Sequence, residues 1–136
     1  FSVTKSNANL LIYHYMVQKK TLVLGASLNP DRYSNMVLNR LSLKEIEVVA
    51  FGLKSGTVSG IYIDTDLKSY LGVHTVTLYM NPKRQEAYYD YIISLKPERV
   101  IFNPGSENLV FYGLLNEASI TFQVACSLVL LSTNQY

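Results

Sequence analysis

The stretch TLVLGASLNPDRYSNMVLNRL, Thr21 to Leu41, decides the fold. It opens on a continuous apolar run of strand length, Thr21–Ala26, as a strand covered on both faces requires. Gly25 sits near the end of that run and a polar turn follows. Residues 34–43 then place Met36, Val37, Arg40 and Leu41 at helical spacing. Strand, glycine turn and helix in succession open a βαβ unit. A glycine at the junction lets something approach the backbone closely.

The same rhythm repeats downstream. IEVVAF (46–51) is β-branched and reads as a second buried strand. GLKSGTVSG (52–60) reads as a small flexible loop, and IYIDTDLKSYLG (61–72) as a segment in which Asp64 or Asp66 caps a short helix. VHTVTLYM (73–80) is a third strand, and PKRQEAYYDYIISL (82–95) a helix with Ala87, Tyr91 and Leu95 on one face. RVIFN (99–103) is a fourth strand and SENLVFYGLLNEA (106–118) another helix, with ITFQVACSLVLL (120–131) supplying the last strand or strands. Strands alternating with helices predict a single doubly wound, Rossmann-like α/β domain over residues 20–136, with a mostly parallel sheet of about five strands.

Composition agrees. The 136 residues suffice for one domain with a core, and 49% hydrophobic against 16% charged residues is a globular balance. The net charge of +2 comes without a dense Lys/Arg run, which gives a nucleic-acid surface no support. A single cysteine, Cys126, excludes an internal disulfide framework and fits a reducing, cytoplasmic compartment.

Residues 1–19 stand apart. The apolar run Leu10–Val17 is interrupted by His14 and is too short to span a bilayer, and no small-residue cleavage site marks a signal peptide. The segment reads as an upstream extension or a tag remnant of no assigned function. An extra strand or a swapped arm is the alternative.

Three strands are followed closely by Asn-Pro, at Asn29-Pro30, Asn81-Pro82 and Asn103-Pro104. Asn caps helices and Pro suits the first helical position, so ordinary helix initiation explains these pairs. They also fall at the carboxyl edge of the sheet, where open α/β folds bind ligands. The first turn, GASLNPDRYS, lacks a G-x-G-x-x-G pattern, because Ser27 takes the second glycine position. Its chemistry nevertheless suits a pyrophosphate. Gly25 admits close approach, Ser27 and Ser34 can donate hydrogen bonds, and Arg32 carries a planar fork matched to phosphate oxygens. The second strand ends AFGLKSG, with Lys54 where an NAD-binding fold places an acid, and no acid follows until Asp64. A Lys there attracts a phosphorylated ribose. The ligand it favours is NADP or coenzyme A, while an exposed loop lysine is the ordinary alternative.

With those segments in view, the chain resembles the small stand-alone coenzyme A-binding proteins, which share their domain with the N-terminal part of the succinyl-CoA synthetase alpha subunit. The resemblance runs from about Lys20 to the C-terminus. It rests on GASLNPDRYS, KSGTVSG with IYIDTDL, LYMNPKRQ, IFNPGSEN and ACSLVLLSTNQY in that order. It implies that Gly25, Ala26, Ser27 and Arg32 sit on the pyrophosphate of coenzyme A or an acyl-CoA. It implies further that the Lys54 loop meets the adenosine and its 3′-phosphate. Met80, Asn81 and Pro82, with Asn103, Pro104 and Gly105, would line the groove of the pantetheine arm. Many relatives have Asn-Pro-Lys where this chain has Gly52-Leu53-Lys54, and Tyr33, beside Ser34, stands where a Pro is frequent.

No catalytic constellation stands out. The synthetase phosphohistidine belongs to a second domain, and only His14 and His74 are present here. His74 starts a strand, at the edge away from the turns, and reads as structural. Neither His pairs with Cys or carboxylates at metal spacing, and Cys126 reads as buried. Ser106 is a candidate cap, with Glu107 in the first helical turn. Tyr88 and Tyr91 read as core or interface residues, and a homodimer is one use for such a helix face. The leading expectation is a coenzyme A or acyl-CoA binding module with a small nucleotide ligand, no nucleic acid and no membrane. A small NADP-dependent oxidoreductase and a protein-interaction domain on the same scaffold are the alternatives.

Overall fold

A computed structural model describes residues 18–136. The expectations for Leu10–Val17 and His14 lie outside the described residues. β1 (Thr21–Ala26) is the central strand, and its first four residues are fully buried. Its side chains alternate between two cores, as strand geometry dictates. Leu22 and Leu24 point into one and Val23 into the other; the register shift between Leu24 and Ala26 then breaks the alternation and turns Ala26 to the side of Val23.

From β1 the chain enters α1 (Tyr33–Leu43) and returns to β2 (Val48–Gly52), parallel to β1. The buried face of α1 consists of Ser34, Asn35, Val37, Leu38 and Leu41, while Met36 and Arg40 face outward. The helix stops at a Schellman-type turn: Ile46 N–H donates to Leu41 O at 3.1 Å and Glu45 N–H to Ser42 O at 3.0 Å, with Glu45 at φ +57°.

Next come β3 (Gly56–Val58) and β4 (Ile61–Asp64), an antiparallel hairpin joined by Ser59 and Gly60, both at positive φ. That is a two-residue primed turn, whose twist matches paired strands. It corrects the reading of 52–60 as a loop and of Asp64 as a helix cap. Asp64 instead accepts hydrogen bonds from Lys68 Nζ at 2.9 Å and from the Tyr70 hydroxyl.

β5 (Thr75–Leu78) pairs with β1 on the side opposite β2. After it the expected long helix is broken into α2 (Pro82–Gln85), a 3-10 turn (Glu86–Tyr88) and α3 (Tyr89–Ser94). Tyr88 packs edge-on against Phe51 at 5.6 Å, and the Tyr91 hydroxyl donates to Lys68 O at 2.6 Å. Both tyrosines thus have partners within the chain.

β6 (Arg99–Phe102), α4 (Leu109–Glu117) and β7 (Thr121–Val124) complete the parallel run. Residues 127–132 form α5 (Ser127–Ser132), not the further strand expected there. α5 lies beside α1, its Leu131 buried in the core of Val37, Leu38 and Leu41. On the opposite face Phe111 and Leu115 of α4 join Leu22, Leu24 and Phe102. Tyr112 stacks on Phe122 at 4.4 Å and secures edge strand β7.

Among the described residues the sheet has seven strands in the order β3-β4-β2-β1-β5-β6-β7, parallel except for the β3–β4 hairpin. The doubly wound α/β class therefore holds, with two more strands than expected. No helix among the described residues is long and apolar enough to cross a membrane.

Candidate functional site

The chain leaves β1 toward β2 and later returns to lay β5 on the other side of β1. The strand order reverses there, so the carboxyl ends of β1 and β5 splay apart and leave a crevice. A cavity of about 420 Å³ occupies it, walled by the turn after β1, the end of β2 and the residues after β5. That volume lies within the range of small-molecule sites.

The floor is the backbone at Gly25. Its φ is +96°, and a Cβ there would lie 2.8 Å from the Tyr79 carbonyl oxygen. The close approach that the sequence signalled is thus, in the protein itself, an approach of β1 to the end of β5. Gly52 does the same on the other flank, where a Cβ would fall 2.2 Å from Ala26 O.

The turn above is tied by its own side chains. Asn29 N–H donates to Ser27 Oγ at 3.0 Å, Asp31 N–H to Asn29 Oδ1 at 2.9 Å, and Asn35 Nδ2 to Ser27 O at 2.9 Å. Ser27 Oγ, already an acceptor, keeps its own proton to donate. α1 begins at this turn with no side-chain cap on its N-terminus. Its leading amides and positive dipole end face the crevice side of the sheet.

Arg32, Lys54 and Arg84 enter the wall from three separate segments, and among the described residues no carboxylate lines it. The site is therefore shaped for a polyanion. Tyr79 forms part of the same wall. Its hydroxyl is buried without a hydrogen-bond partner among the described residues, and burial pushes the phenol well above its usual range.

Of the residues singled out from the sequence, Gly25, Ala26, Ser27, Arg32, Ser34 and Lys54 come together around this cavity. Tyr33 does not line it and is 66% exposed. Met80 is buried, and Asn81 Oδ1 accepts the Arg84 N–H at 2.9 Å, capping α2 with Pro82 at its start. Asn103 is buried and points inward: Nδ2 donates to Thr77 Oγ1 at 2.7 Å and Leu78 O at 2.9 Å, and Oδ1 accepts the Ser127 N–H at 2.8 Å. Pro104 and Gly105 are exposed and do not line the cavity.

The capping expectations are corrected in part. Only Asn81 of the three Asn-Pro asparagines caps a helix. Asn108 caps α4, accepting from Phe111 N–H at 3.1 Å, while Ser106 Oγ donates to Asn103 O and Glu107 Oε1 accepts from Gly105 N–H.

Sequence reasoning missed Arg84, Tyr79, Leu53 and Leu28 as wall residues, and it offered Asn29 only as part of its Asn-Pro turn. Arg84 lies inside the motif LYMNPKRQ, and a cation in the first turn after the strand that flanks β1 is the signal that would have found it. His74 sits at the opposite end of the sheet, its Nδ1 2.8 Å from Thr75 Oγ1. Cys126 is half-buried just before α5. Among the described residues no group of three His, Cys, Asp or Glu could hold a metal ion.

Comparison with known proteins follows this geometry. An uncharacterized protein of known crystal structure is 43% identical, with a TM-score of 0.85 over 88% of this chain and 99% of its own. The cell-free ID.343 protein from Thermus thermophilus is 21% identical, with a TM-score of 0.75 over 94% of this chain and 98% of its own. A hypothetical protein from Pyrococcus horikoshii OT3 is 23% identical, with a TM-score of 0.71 over 86% of this chain and 82% of its own. The latter two share the fold. No curated protein matches the chain. Residues 19–132 match the family described as the CoA binding domain, and the chain belongs to that family.

Proposed function

We propose that this chain binds coenzyme A or an acyl-CoA in the cavity at the β1–β5 switch point and acts as a binding module. The observation that carries this reading is the convergence of Arg32, Lys54 and Arg84 on a glycine turn, with no opposing carboxylate in the wall among the described residues. Coenzyme A fits that donor set, since it presents a pyrophosphate and a separate 3′-phosphate. Arg32, the Ser27 hydroxyl and the uncapped start of α1 serve the pyrophosphate. Lys54, at the end of β2, serves the ribose phosphate. Met80, Asn81 and Pro82 belong to the β5 side of the ligand's path and Asn103, Pro104 and Gly105 to the β6 side, with Tyr33 and Ser34 at the start of α1.

Calorimetric titration of the full chain with coenzyme A, 3′-dephospho-coenzyme A, NADP and NAD tests the proposal. Coenzyme A should bind, and loss of the 3′-phosphate should weaken it by about tenfold, the worth of one charge-assisted contact. Tighter binding of NADP than of coenzyme A overturns the reading in favour of a small oxidoreductase. Silence with all four leaves the scaffold as an interaction domain.

A further inference from the structure

We propose that the outer edge of β7 pairs with β7 of a second copy of this chain, antiparallel and about a two-fold axis at Gln123. The proposal stands apart from the coenzyme A reading and does not depend on it. β7 ends the sheet, and among the described residues no strand lies on its outer side. Its pairing with β6 decides which backbone groups face outward. Ala125 N–H donates to Phe102 O at 3.1 Å, and Phe102 stands opposite Val124. In a parallel ladder successive residues of a strand turn their N–H and C=O groups to alternate sides. Thr121, Gln123 and Ala125 therefore turn theirs toward β6, while Phe122 and Val124 turn theirs outward. One step further back the edge closes, because Ile120 N–H donates to Leu115 O at 2.9 Å.

Those outward groups fit a copy of themselves in one register. With Gln123 opposite Gln123, Phe122 of each chain faces Val124 of the other and exchanges N–H to O bonds with it, so every outward group finds a partner. A two-fold centred on Phe122 would need the committed Ile120 N–H, and one centred on Val124 would need Cys126 O, which already accepts Leu130 N–H at 3.0 Å. The side chains agree with the Gln123 register. Opposite residues of an antiparallel pair share a face, so Val124, 57% exposed in the single chain, comes beside Phe122 and the Tyr112 ring stacked on it. An aromatic against a β-branched residue is a favourable cross-strand pair.

The edge also lacks the devices that keep sheet edges apart. No Asp, Glu, Lys, Arg or Pro lies between Ala118 and Tyr136, and the β6–β7 register runs from Thr121 to Val124 without a shift. The opposite edge differs: β3 has three residues, and Lys54 closely precedes it. A partner recognised by charge has nothing to read on β7, whereas the strand's own copy matches it group for group. Because the paired strands run antiparallel, the carboxyl ends of the two sheets point in opposite directions and each crevice stays open.

Light scattering on the full chain between about 1 and 200 μM tests the pairing, which buries one short strand edge and so gives a reversible dimer. The mass should rise from one chain toward two across that range. Val124→Lys puts a charge at a position already exposed in the single chain. It should raise the dissociation constant at least about tenfold, with the urea midpoint unchanged at the dilute end. Register is read separately, in a Cys126→Ser background oxidised with diamide. Gln123→Cys should give a disulfide-linked dimer, since opposite residues that share no hydrogen bond stand about 4.5 Å apart at Cα. Thr121→Cys, opposite Ala125 and far from its own copy, should not. A monomer throughout overturns the proposal, whatever else covers the edge. So does a dimer that Val124→Lys leaves intact, or one that fails to crosslink through Gln123→Cys or crosslinks as readily through Thr121→Cys.

Discussion

Gly25 and Tyr79 meet backbone to backbone. Tyr79 N–H donates to Leu24 O at 2.9 Å, and the Tyr79 carbonyl oxygen sits where a Cβ on residue 25 would lie 2.8 Å away. The floor of the cavity is therefore also the seam between the two strands that define the switch point. A side chain at 25 has to move backbone, because the obstructing atom is a carbonyl in the sheet and not the tip of a flexible side chain. The φ of +96° adds strain for any L-residue. Gly25→Ala should cost about 2–4 kcal/mol of stability, measured as a lower urea midpoint at unchanged slope. It should also weaken ligand binding, because the turn and its amides shift with the seam.

Asn103 joins three elements through one amide. Thr77 and Leu78 of β5 accept from it, and the first residue of α5, Ser127, donates to it. The Thr77 and Ser127 hydroxyls, 2.9 Å apart, close the ring. Asn103→Ala leaves Leu78 O and Ser127 N–H buried without partners, a loss of about 2–4 kcal/mol if each costs what unsatisfied buried groups usually do. Asn103→Ser, which keeps a donor and an acceptor, should recover part of it. Equal stability of the alanine variant and the parent in urea would show that water replaces the amide.

That same residue explains what could and could not be read from the sequence. β1, α1 and the glycine turn were legible because their signals are local: an apolar run, a helical period and one residue with no Cβ. α5 was not, because its first amide is held by Asn103, some two dozen residues upstream, and SLVLLS carries no cap of its own. The β3–β4 hairpin was missed for another reason. It lies at the sheet edge, Thr57 and Tyr62 are exposed, and its signal is the Ser59-Gly60 turn and not an apolar run. In the wall of the cavity Lys54 follows from its place after β2, whereas Arg84 depends on which strand lies beside β1. Strand order is a tertiary fact, and no single segment states it.

His74, at the far end of the sheet, makes stability depend on pH. Burial, then the positive charges of Arg99 and Lys19, hold its imidazolium pKa below the usual value, with Glu98 opposing. A base whose pKa is lowered by folding takes up protons more readily when unfolded. Its contribution is thus full above the unfolded value of about 6.5 and is lost as pH falls from there toward the folded value. Denaturation midpoints should decline between neutral pH and mildly acidic pH, before the carboxylates titrate. His74→Gln, which keeps a polar partner for Thr75 Oγ1, should flatten that part of the curve. An unchanged slope in the variant would assign the decline to another group.

Ser119 closes α4 in the left-handed region, at φ +59°. Its N–H donates to Asn116 O at 3.1 Å, and Ile120 N–H reaches back to Leu115 O at 2.9 Å, with Ile120 and Leu115 both in the core. This is the same stop that Glu45 makes after α1, and in both places the left-handed residue carries a Cβ. The side chain is exposed and makes no hydrogen bond among the described residues that would be lost with it. Left-handed backbone costs an L-residue about 1 kcal/mol more than glycine, partly offset by the extra freedom glycine gives the unfolded chain. Ser119→Gly should raise stability by about 0.5–1 kcal/mol, visible as a higher urea midpoint with coenzyme A affinity unchanged. A lower midpoint would mean that unfolded-chain entropy outweighs the strain, and Glu45→Gly should then fall in the same direction.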